Sequence, residues 1–382
     1  FGSMSNLVTA FKAVVTDPAG TDPAAYVEKT FQRSDPDAAV FLTHLGRCFL
    51  TEVSLKVVPN YYLQVTNRYP DAKVLFGAPT DPASADSISA LLDRFGRIEV
   101  IWFPFTTKPW VKTWDLKTEK IEPQVAGPYN YPWANNISIE QSNLIKAGLF
   151  IAPWTTPGFG TGQLLVSELN APDGAVMNGT SRDLLLYVQA STLRVTSYGY
   201  AIQIRRQDVQ DVAHRVCTQF DAQLKAYQNQ GKYPVNGPLE LRWTTVDQVQ
   251  DLGIAGAAPP ALAASHSIAP ADPSLDTVFW FDALTLPGTP NSDAFYTEFE
   301  TWMTAQFGTA ASNVMRPEWS KAWAYTAADG AWTSQPILTQ AIPAHYNQPP
   351  GTHTWDDARQ TLAEYDKSRL YRDALLDVLL PG

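Results

Sequence analysis

The chain has 382 residues, of which 45% are hydrophobic, 17% charged and 12% aromatic. This composition excludes disordered, collagen-like and coiled-coil proteins, and the length suffices for two domains or one large domain. The 28 basic and 38 acidic residues give a formal net charge of -10, the wrong sign for a protein that neutralises nucleic acid phosphates. No apolar run approaches the roughly 18 residues of a membrane span, and the most apolar one, residues 147–153, is predicted to lie in the core.

The first sixty residues are predicted to form strands around a short helical stretch. Residues 7–15 and 51–58 are the predicted strands, and Tyr26–Gln32 is the stretch between them. Pro59 and Asn60 end this block, and Pro-rich loops follow. We therefore expect a domain boundary near Pro59.

Three helices are predicted further along the chain. Residues 84–95 place apolar side chains at helical spacing, and a strand is predicted to follow at residues 97–103. Residues 208–230 show the clearest helical pattern, with one apolar stripe. The pattern recurs over residues 293–307, where Ser292 is the expected N-cap.

Two more strands, residues 239–244 and 277–284, are predicted between the last two helices. Residues 253–273 consist almost entirely of Ala, Pro and Gly, which predicts a surface loop. Helices and strands follow one another without regular βαβ alternation. This order predicts an α+β fold with a large, mostly antiparallel sheet flanked by helices.

Sequence motifs of several common enzyme classes are absent. There is no Walker loop, nucleophile elbow, HExxH motif or dinucleotide-binding glycine fingerprint. The five histidines are scattered, and Cys48 and Cys217 are too few for a disulfide framework or a thiolate zinc site. No metal site and no triad hydrolase is therefore expected.

Single carboxylates on apolar strands are the first candidates for chemistry. Strand alternation places Glu99 on one face together with Ile101 and Phe103. A carboxylate on such a surface is desolvated, which raises its pKa toward the range of a general base or proton shuttle. The simpler alternative is an edge strand, with Glu99 in water or paired with a lysine.

Two further strands carry charges in the same way. Alternation places Glu240 and Arg242 on one face, where they either line a polar cavity as a salt bridge or form the solvated side of a half-buried sheet. Asp282 is the single charge in another apolar strand. Three such strands predict one polar pocket in an aromatic sheet.

Short motifs with a specific resemblance run in order from one end of the chain to the other. They are FGSMSNLV at 1–8, LGRCFLT at 45–51, IWFPFT at 101–106 with KPW at 108–110, GPYNY at 127–131, STLR at 191–194, NGPLELR at 236–242, LPGTP at 286–290, RPEWSKAWA at 316–324 and VLLP at 378–381. Together they resemble the second type of cholesterol oxidase, a member of the vanillyl-alcohol-oxidase group of flavoproteins that carries its FAD covalently.

The resemblance implies a domain organisation. Residues 1–59 correspond to the remainder of a FAD-binding domain, residues 60–338 to a substrate-binding domain whose sheet covers the flavin ring, and residues 339–382 to a segment that returns to the FAD-binding domain. The amino-terminal half of that family's flavin domain, with its phosphate-binding loops and the histidine that is linked to the flavin, has no counterpart here. We therefore expect a fragment that is inactive alone.

The resemblance also assigns roles to the candidate residues. Glu99 falls on the glutamate that acts as base above the flavin, and Glu240 and Arg242 fall on a gate associated with oxygen access. The family has an asparagine where this chain has Asp282, and an acidic residue where it has Ser197. These two departures bear on gating and on substrate choice.

A second set of residues is expected near the cofactor. It comprises Gly46, Arg47, Cys48, Phe49 and Lys321. The alternative for Lys321 is an anchor for the tail, and for the other four an ordinary strand backbone.

The activity that the resemblance implies is FAD-dependent oxidation of a sterol or another bulky secondary alcohol. Hydride passes to flavin N5 and then to O2, which gives H2O2, and isomerisation of a steroid double bond is a further expected step. Two alternatives remain open: a flavin oxidase or dehydrogenase of a smaller alcohol, and a non-catalytic module that binds sterols or lipids. The resemblance further implies a secreted or periplasmic protein.

Overall fold

The computed structural model describes most of the chain. It covers residues 2–80, 84–125, 127, 138–185, 194–268, 272–308, 313–347 and 353–382. Residues 128–131 and 191–193 of the sequence motifs, and residues 269–271 of the predicted surface loop, lie outside the described residues.

The helices and strands alternate irregularly along the chain. The strands are β1 (Val8–Thr16), β2 (Tyr26–Gln32), β3 (Phe49–Leu55), β4 (Tyr62–Arg68), β5 (Arg97–Trp102), β6 (Trp110–Lys117), β7 (Val176–Thr180), β8 (Thr196–Ile204), β9 (Leu239–Thr245), β10 (Thr277–Thr285) and β11 (Val314–Pro317). The helices are α1 (Ala38–Phe41), α2 (Ala72–Leu75), α3 (Ile88–Phe95), α4 (Ile139–Ile151), α5 (Thr156–Asn170), α6 (Ser181–Leu184), α7 (Val209–Gln228), α8 (Ser292–Phe307), α9 (Ile342–Tyr346), α10 (Trp355–Glu364) and α11 (Ala374–Leu379).

Two antiparallel sheets organise the molecule. The smaller has the strand order β2-β1-β3, and the larger has the order β11-β8-β10-β9-β5-β6-β4-β7. The predicted α+β fold with a large, mostly antiparallel sheet is therefore confirmed. None of the helices in the described residues is long and apolar enough to cross a bilayer.

The central strands of the larger sheet separate apolar from charged side chains. On one face, which we call the apolar face, Val100, Leu241 and Phe281 are fully buried. Helices α7 and α8 pack here, and the ring of Phe281 lies 5.8 Å from that of Phe220 and 5.2 Å from that of Phe299. The opposite face, the charged face, carries Glu99, Lys112, Glu240, Arg242 and Asp282, because strand side chains alternate in direction.

Two local predictions in the first sixty residues and at α8 were wrong. Tyr26–Gln32 is strand β2, not a helical stretch, because its β-branched and aromatic residues pair with β1 along their whole length. Ser292 is the first residue of α8 rather than its N-cap. Asn291 occupies the cap position with φ 66°, and the Ser292 hydroxyl donates backward to the Thr289 carbonyl.

Two predictions of burial were also wrong. In the predicted surface loop, residues 261–265 are buried, because Ala261 and Leu262 belong to the main hydrophobic core and Ala264 packs with Val246 and Val278. Trp319 and Tyr346 also donate hydrogen bonds to the Leu262 carbonyl. Residues 147–153, predicted to be core, belong largely to α4, where Ile151 is 79% exposed. Helix α4 buries only Leu149, so an apolar sequence here does not mark the interior.

The carboxy-terminal segment packs against the smaller sheet. The ring of Tyr365 lies 5.6 Å from that of Phe31. Asp366, which is 1% exposed, lies 3.6 Å from the Arg47 guanidinium and accepts hydrogen bonds from Tyr26 and from two backbone N–H groups. A buried ion pair therefore ties the end of the chain to its beginning.

Replacing this buried carboxylate should destabilise the chain strongly. Asp366→Ala leaves the Arg47 charge buried without its partner, and we expect a loss of about 3–5 kcal/mol in the free energy of unfolding, measured with urea. Asp356→Ala removes an exposed carboxylate that lies 3.8 Å from Arg359, and should cost less than about 1 kcal/mol. Equal losses in both variants would contradict this role of Asp366.

Candidate active site on the charged face

The three strands that carry the candidate charges are neighbours in the sheet. Glu99 on β5 lies opposite Arg242 on β9, and Asp282 on β10 lies opposite Glu240 on β9. All four side chains project from the charged face, because each occupies the same phase of strand alternation. The structure therefore brings together the four residues that were predicted to share a pocket.

Glu99 forms a buried ion pair across the sheet. Lys112 on β6 lies opposite it, and the distance from Lys112 Nζ to Glu99 Oε2 is 2.6 Å. The exposed fractions of the residues are 7% for Glu99 and 1% for Lys112. Glu99 is thus desolvated, as the functional interpretation requires. It is also paired with a lysine, but the edge strand of the simpler alternative is wrong, because β5 lies between β9 and β6 inside the sheet.

Lys112 is a site residue that the sequence interpretation did not include. Its Nζ lies 4.9 Å from the ring centre of Trp110 and 5.7 Å from that of Trp114, two residues before and after it on β6. Burial lowers the pKa of Lys112, and the carboxylate of Glu99 partly opposes that effect. The alternating Trp110, Lys112 and Trp114 are the sequence pattern that could have predicted a buried lysine here.

A second group of charges surrounds Asp282, which is 1% exposed. Its Oδ2 lies 2.5 Å from Lys321 Nζ and 3.5 Å from Arg242 Nη2, and the Ser197 hydroxyl donates to its Oδ1. The same Arg242 nitrogen lies 3.4 Å from Glu240 Oε2. Arg242 therefore stands between two carboxylates at nearly equal distances.

Burial and neighbouring charges shift the pKa values of these groups. Burial raises the pKa of Glu240 to about 7, which Arg242 opposes and the carboxylates of Glu99 and Asp282 reinforce. Burial by itself lowers the pKa of Arg242, but the same three carboxylates outweigh it and raise the pKa overall. Glu240 is therefore a group that can exchange a proton near neutral pH.

An apolar wall adjoins Glu99 on the charged face. Ile101, Phe103 and Trp110 form a buried cluster there with Tyr69 and with Ala171, which follows α5. The Trp110 indole N–H donates to the Asn67 amide oxygen at 2.9 Å, which fixes the ring. The site thus combines paired charges with an adjoining buried aromatic cluster.

The predicted cofactor residues before β3 lie in a different environment. Arg47 pairs with Asp366 and donates to the Tyr371 carbonyl at 3.0 Å. Cys48 is buried beside it, whereas Phe49 is 59% exposed at the start of β3, and Gly46 has a φ of 95°. Their role toward a cofactor stays a prediction. Among the described residues, no cluster of three or more His, Cys, Asp or Glu could hold a metal ion.

Changing one neighbour of Glu240 should move its pKa in a direction set by the sign of that neighbour. Asp282→Asn removes a repelling carboxylate and should lower the pKa of Glu240, whereas Arg242→Met removes an attracting cation and should raise it. The titration is followed by 13C NMR of the side-chain carboxyl carbons, with Glu240→Gln used to assign the signal. Shifts in the same direction for both variants would contradict this electrostatic picture.

The buried pair on β5 and β6 should show strong coupling in a double-mutant cycle. Lys112→Met leaves Glu99 buried without its cation, and we expect a loss of about 3–5 kcal/mol in the free energy of unfolding. Adding Glu99→Gln should recover part of that loss, because the unpaired charge is then gone. Lys117→Met on the same strand, where the ion pair with Asp115 is partly exposed, serves as the control. Strictly additive losses would contradict the coupling.

Comparisons with known proteins agree on one family. A family model described as "Cholesterol oxidase, substrate-binding" matches residues 67–381. A solvent-stable cholesterol oxidase is 37% identical over 99% of this chain and 70% of its own, with a TM-score of 0.91. Cholesterol oxidase from B. sterolicum is 32% identical over 100% of this chain and 70% of its own, also with a TM-score of 0.91.

Among curated protein sequences, none matches this chain significantly. The family model nevertheless spans more than half of the residues, and the similar structures exceed 30% identity over almost the entire chain. The eight-stranded sheet with its covering helices matches the substrate-binding domain of these enzymes. The chain therefore belongs to the cholesterol oxidase family.

Proposed function

We propose that this chain provides the substrate-binding part of a FAD-dependent oxidase that acts on a sterol or another bulky secondary alcohol. The observation that carries the proposal is the buried Glu99–Lys112 pair beside the apolar wall of Ile101 and Phe103. A carboxylate held beside a buried aromatic cluster is suited to take a proton from a large apolar alcohol. The similar structures are cholesterol oxidases, which favours this substrate class.

The domain division is part of the proposal. Residues 1–59 and 339–382 belong to the FAD-binding domain, and residues 60–338 form the substrate-binding domain. The contacts of Tyr365 and Asp366 with the three-stranded sheet support the grouping of the two ends of the chain.

We place the flavin beside the charged face. Bound FAD would supply the hydride acceptor and the route by which electrons pass to O2. Arg242, whose side chain is 40% exposed, and Lys321, at 20%, present cations on this face, which favour the negative charge that a flavin gains on reduction. We assign contacts with the cofactor to Lys321 on this face. We assign further contacts to the residues around the start of β3, which are Gly46, Arg47, Cys48 and Phe49.

Glu99 takes the hydroxyl proton of the alcohol in this proposal. Lys112, 2.6 Å away, holds one carboxylate oxygen in place, and the packed tryptophans exclude water around the pair. Glu240, with its pKa raised by burial to about 7, is suited to move the proton in a steroid isomerisation. Arg242 controls oxygen access by shifting between Glu240 and Asp282.

The decisive test uses the flavin-loaded holoprotein. Glu99→Gln should slow flavin reduction by roughly 10²- to 10⁴-fold, measured by stopped-flow absorbance with a 3β-hydroxysteroid, because the proton acceptor is lost. Glu119→Gln, in the exposed loop after β6, is the matched control and should react at the unaltered rate.

Several outcomes would contradict the proposal. Unchanged flavin reduction in Glu99→Gln would remove Glu99 as base. Faster peroxide production from small alcohols than from sterols would favour the smaller-alcohol oxidase. Colourless protein with sterol-dependent tryptophan quenching would favour a binding module.

A further inference from the structure

Residues 318–325 follow the edge of the large sheet and carry Lys321 to the charged face. This edge segment hydrogen-bonds to β8 at three points: Glu318 N–H donates to the Gly199 carbonyl, Ala322 N–H to the Ser197 carbonyl, and Gly199 N–H to the Ala322 carbonyl. The contacts continue the sheet beyond β11. The position of Lys321 therefore depends on how this segment is held.

The side chain of Lys321 reaches Asp282 by passing over a glycine. A Cβ atom at position 199 would lie 2.9 Å from Lys321 Cγ and 3.2 Å from Lys321 Cβ. The aliphatic stem thus fills the space above Gly199, and Nζ ends 2.5 Å from Asp282 Oδ2. The Lys321 side chain therefore packs directly on the backbone at Gly199 as it extends to Asp282.

The other end of the edge segment is held from the apolar face. Glu300 on α8 is 1% exposed and accepts the backbone N–H groups of Ala324 and Tyr325, each at 2.7 Å. The hydroxyl of Tyr200 on β8 donates to the same carboxylate. Ala324 has a φ of 54°, a left-handed conformation that a non-glycine residue keeps only where the surroundings fix it.

We propose that Glu300 is a positioning residue for Lys321. By holding the backbone at Ala324 and Tyr325 on the apolar face, it fixes the edge segment and so keeps Lys321 on Asp282 on the charged face. Its effect on the reaction rests on the function proposed above, whereas its effect on the edge segment is independent of flavin and substrate.

The protonation of Glu300 controls how firmly it holds the segment. Burial raises the pKa of Glu300 to about 7, and the hydrogen bonds from Tyr200, Tyr325 and Ala324 oppose that effect. Among the described residues, the titratable groups that interact with Glu300 are Tyr200, through its hydrogen bond, and Tyr198 of β8 and Tyr325 of the edge segment, electrostatically. The hydrogen bonds from Ala324 and Tyr325 lower the pKa of Glu300, so releasing the segment while Glu300 stays buried raises that pKa further. The released form then binds the proton more tightly than the held form, and the segment should loosen as the pH falls through 7.

Hydrogen exchange of the edge segment tests the proposal directly. In the wild-type chain, peptides that contain residues 322–326 should exchange several-fold faster at pH 6 than at pH 8, after correction for intrinsic rates. Glu300→Gln should exchange at least about ten-fold faster at pH 8 and lose the pH dependence, because one backbone N–H loses its acceptor. Glu298→Gln on the same helix, where the side chain is exposed, is the matched control.

A second readout separates positioning from general stabilisation. In the flavin-loaded holoprotein, Glu300→Gln should lower kcat in the presence of Lys321 but have little further effect in the Lys321→Met background. Equal effects in both backgrounds would overturn the positioning role. If Glu300→Gln does not fold, unchanged wild-type exchange between pH 6 and pH 8 would overturn the proposal. If the holoprotein shows no oxidase activity, the proposed function is wrong, but the hydrogen-exchange comparison still tests whether Glu300 holds the edge segment.

Discussion

Charge compensation on one face of a sheet is the constraint on which the site depends. Glu99, Glu240 and Asp282 are held beside Lys112, Arg242 and Lys321 at distances of 2.5 to 3.5 Å. Buried charges are tolerated only when they are paired. Strand alternation sends Glu99, Lys112, Glu240, Arg242 and Asp282 to one side of the sheet, whereas Lys321 reaches Asp282 from the edge segment. The apolar face, filled by α7 and α8, provides the hydrophobic stabilisation that permits this arrangement.

The edge segment, residues 318–325, connects the charged face with the apolar face at the edge of the sheet. The edge segment forms backbone hydrogen bonds with β8 and then turns to the apolar face. There the Glu300 carboxylate accepts hydrogen bonds from the backbone N–H groups of Ala324 and Tyr325. A shift of Glu300 on α8 would therefore move the backbone at Ala324 and Tyr325 and, through the short stretch of chain between them, Lys321. This connection needs no distant pathway, because Lys321 and Tyr325 are only four residues apart.

The sequence predicted the structure best for strands in which polar and apolar residues alternate regularly. Alternation identified β5, β9 and β10 and the common face of Glu99, Glu240 and Arg242, since both faces of these strands differ sharply in polarity. It failed for Tyr26–Gln32, whose strand depends on pairing with β1, and for residues 261–265, which are buried by packing against residues distant in the sequence. Lys112 was missed for a similar reason, because its partner lies on another strand.

Ser197 and Asp282, the two departures that the resemblance implies, contact each other in the structure. Ser197 on β8 donates its hydroxyl to Asp282 on β10, and the strand register places Asp282 opposite Gly199, two residues from Ser197. A serine leaves room for this contact, whereas a second carboxylate at position 197 would repel Asp282 in a site where Lys321 already balances one negative charge. The charges at the two positions are therefore coupled.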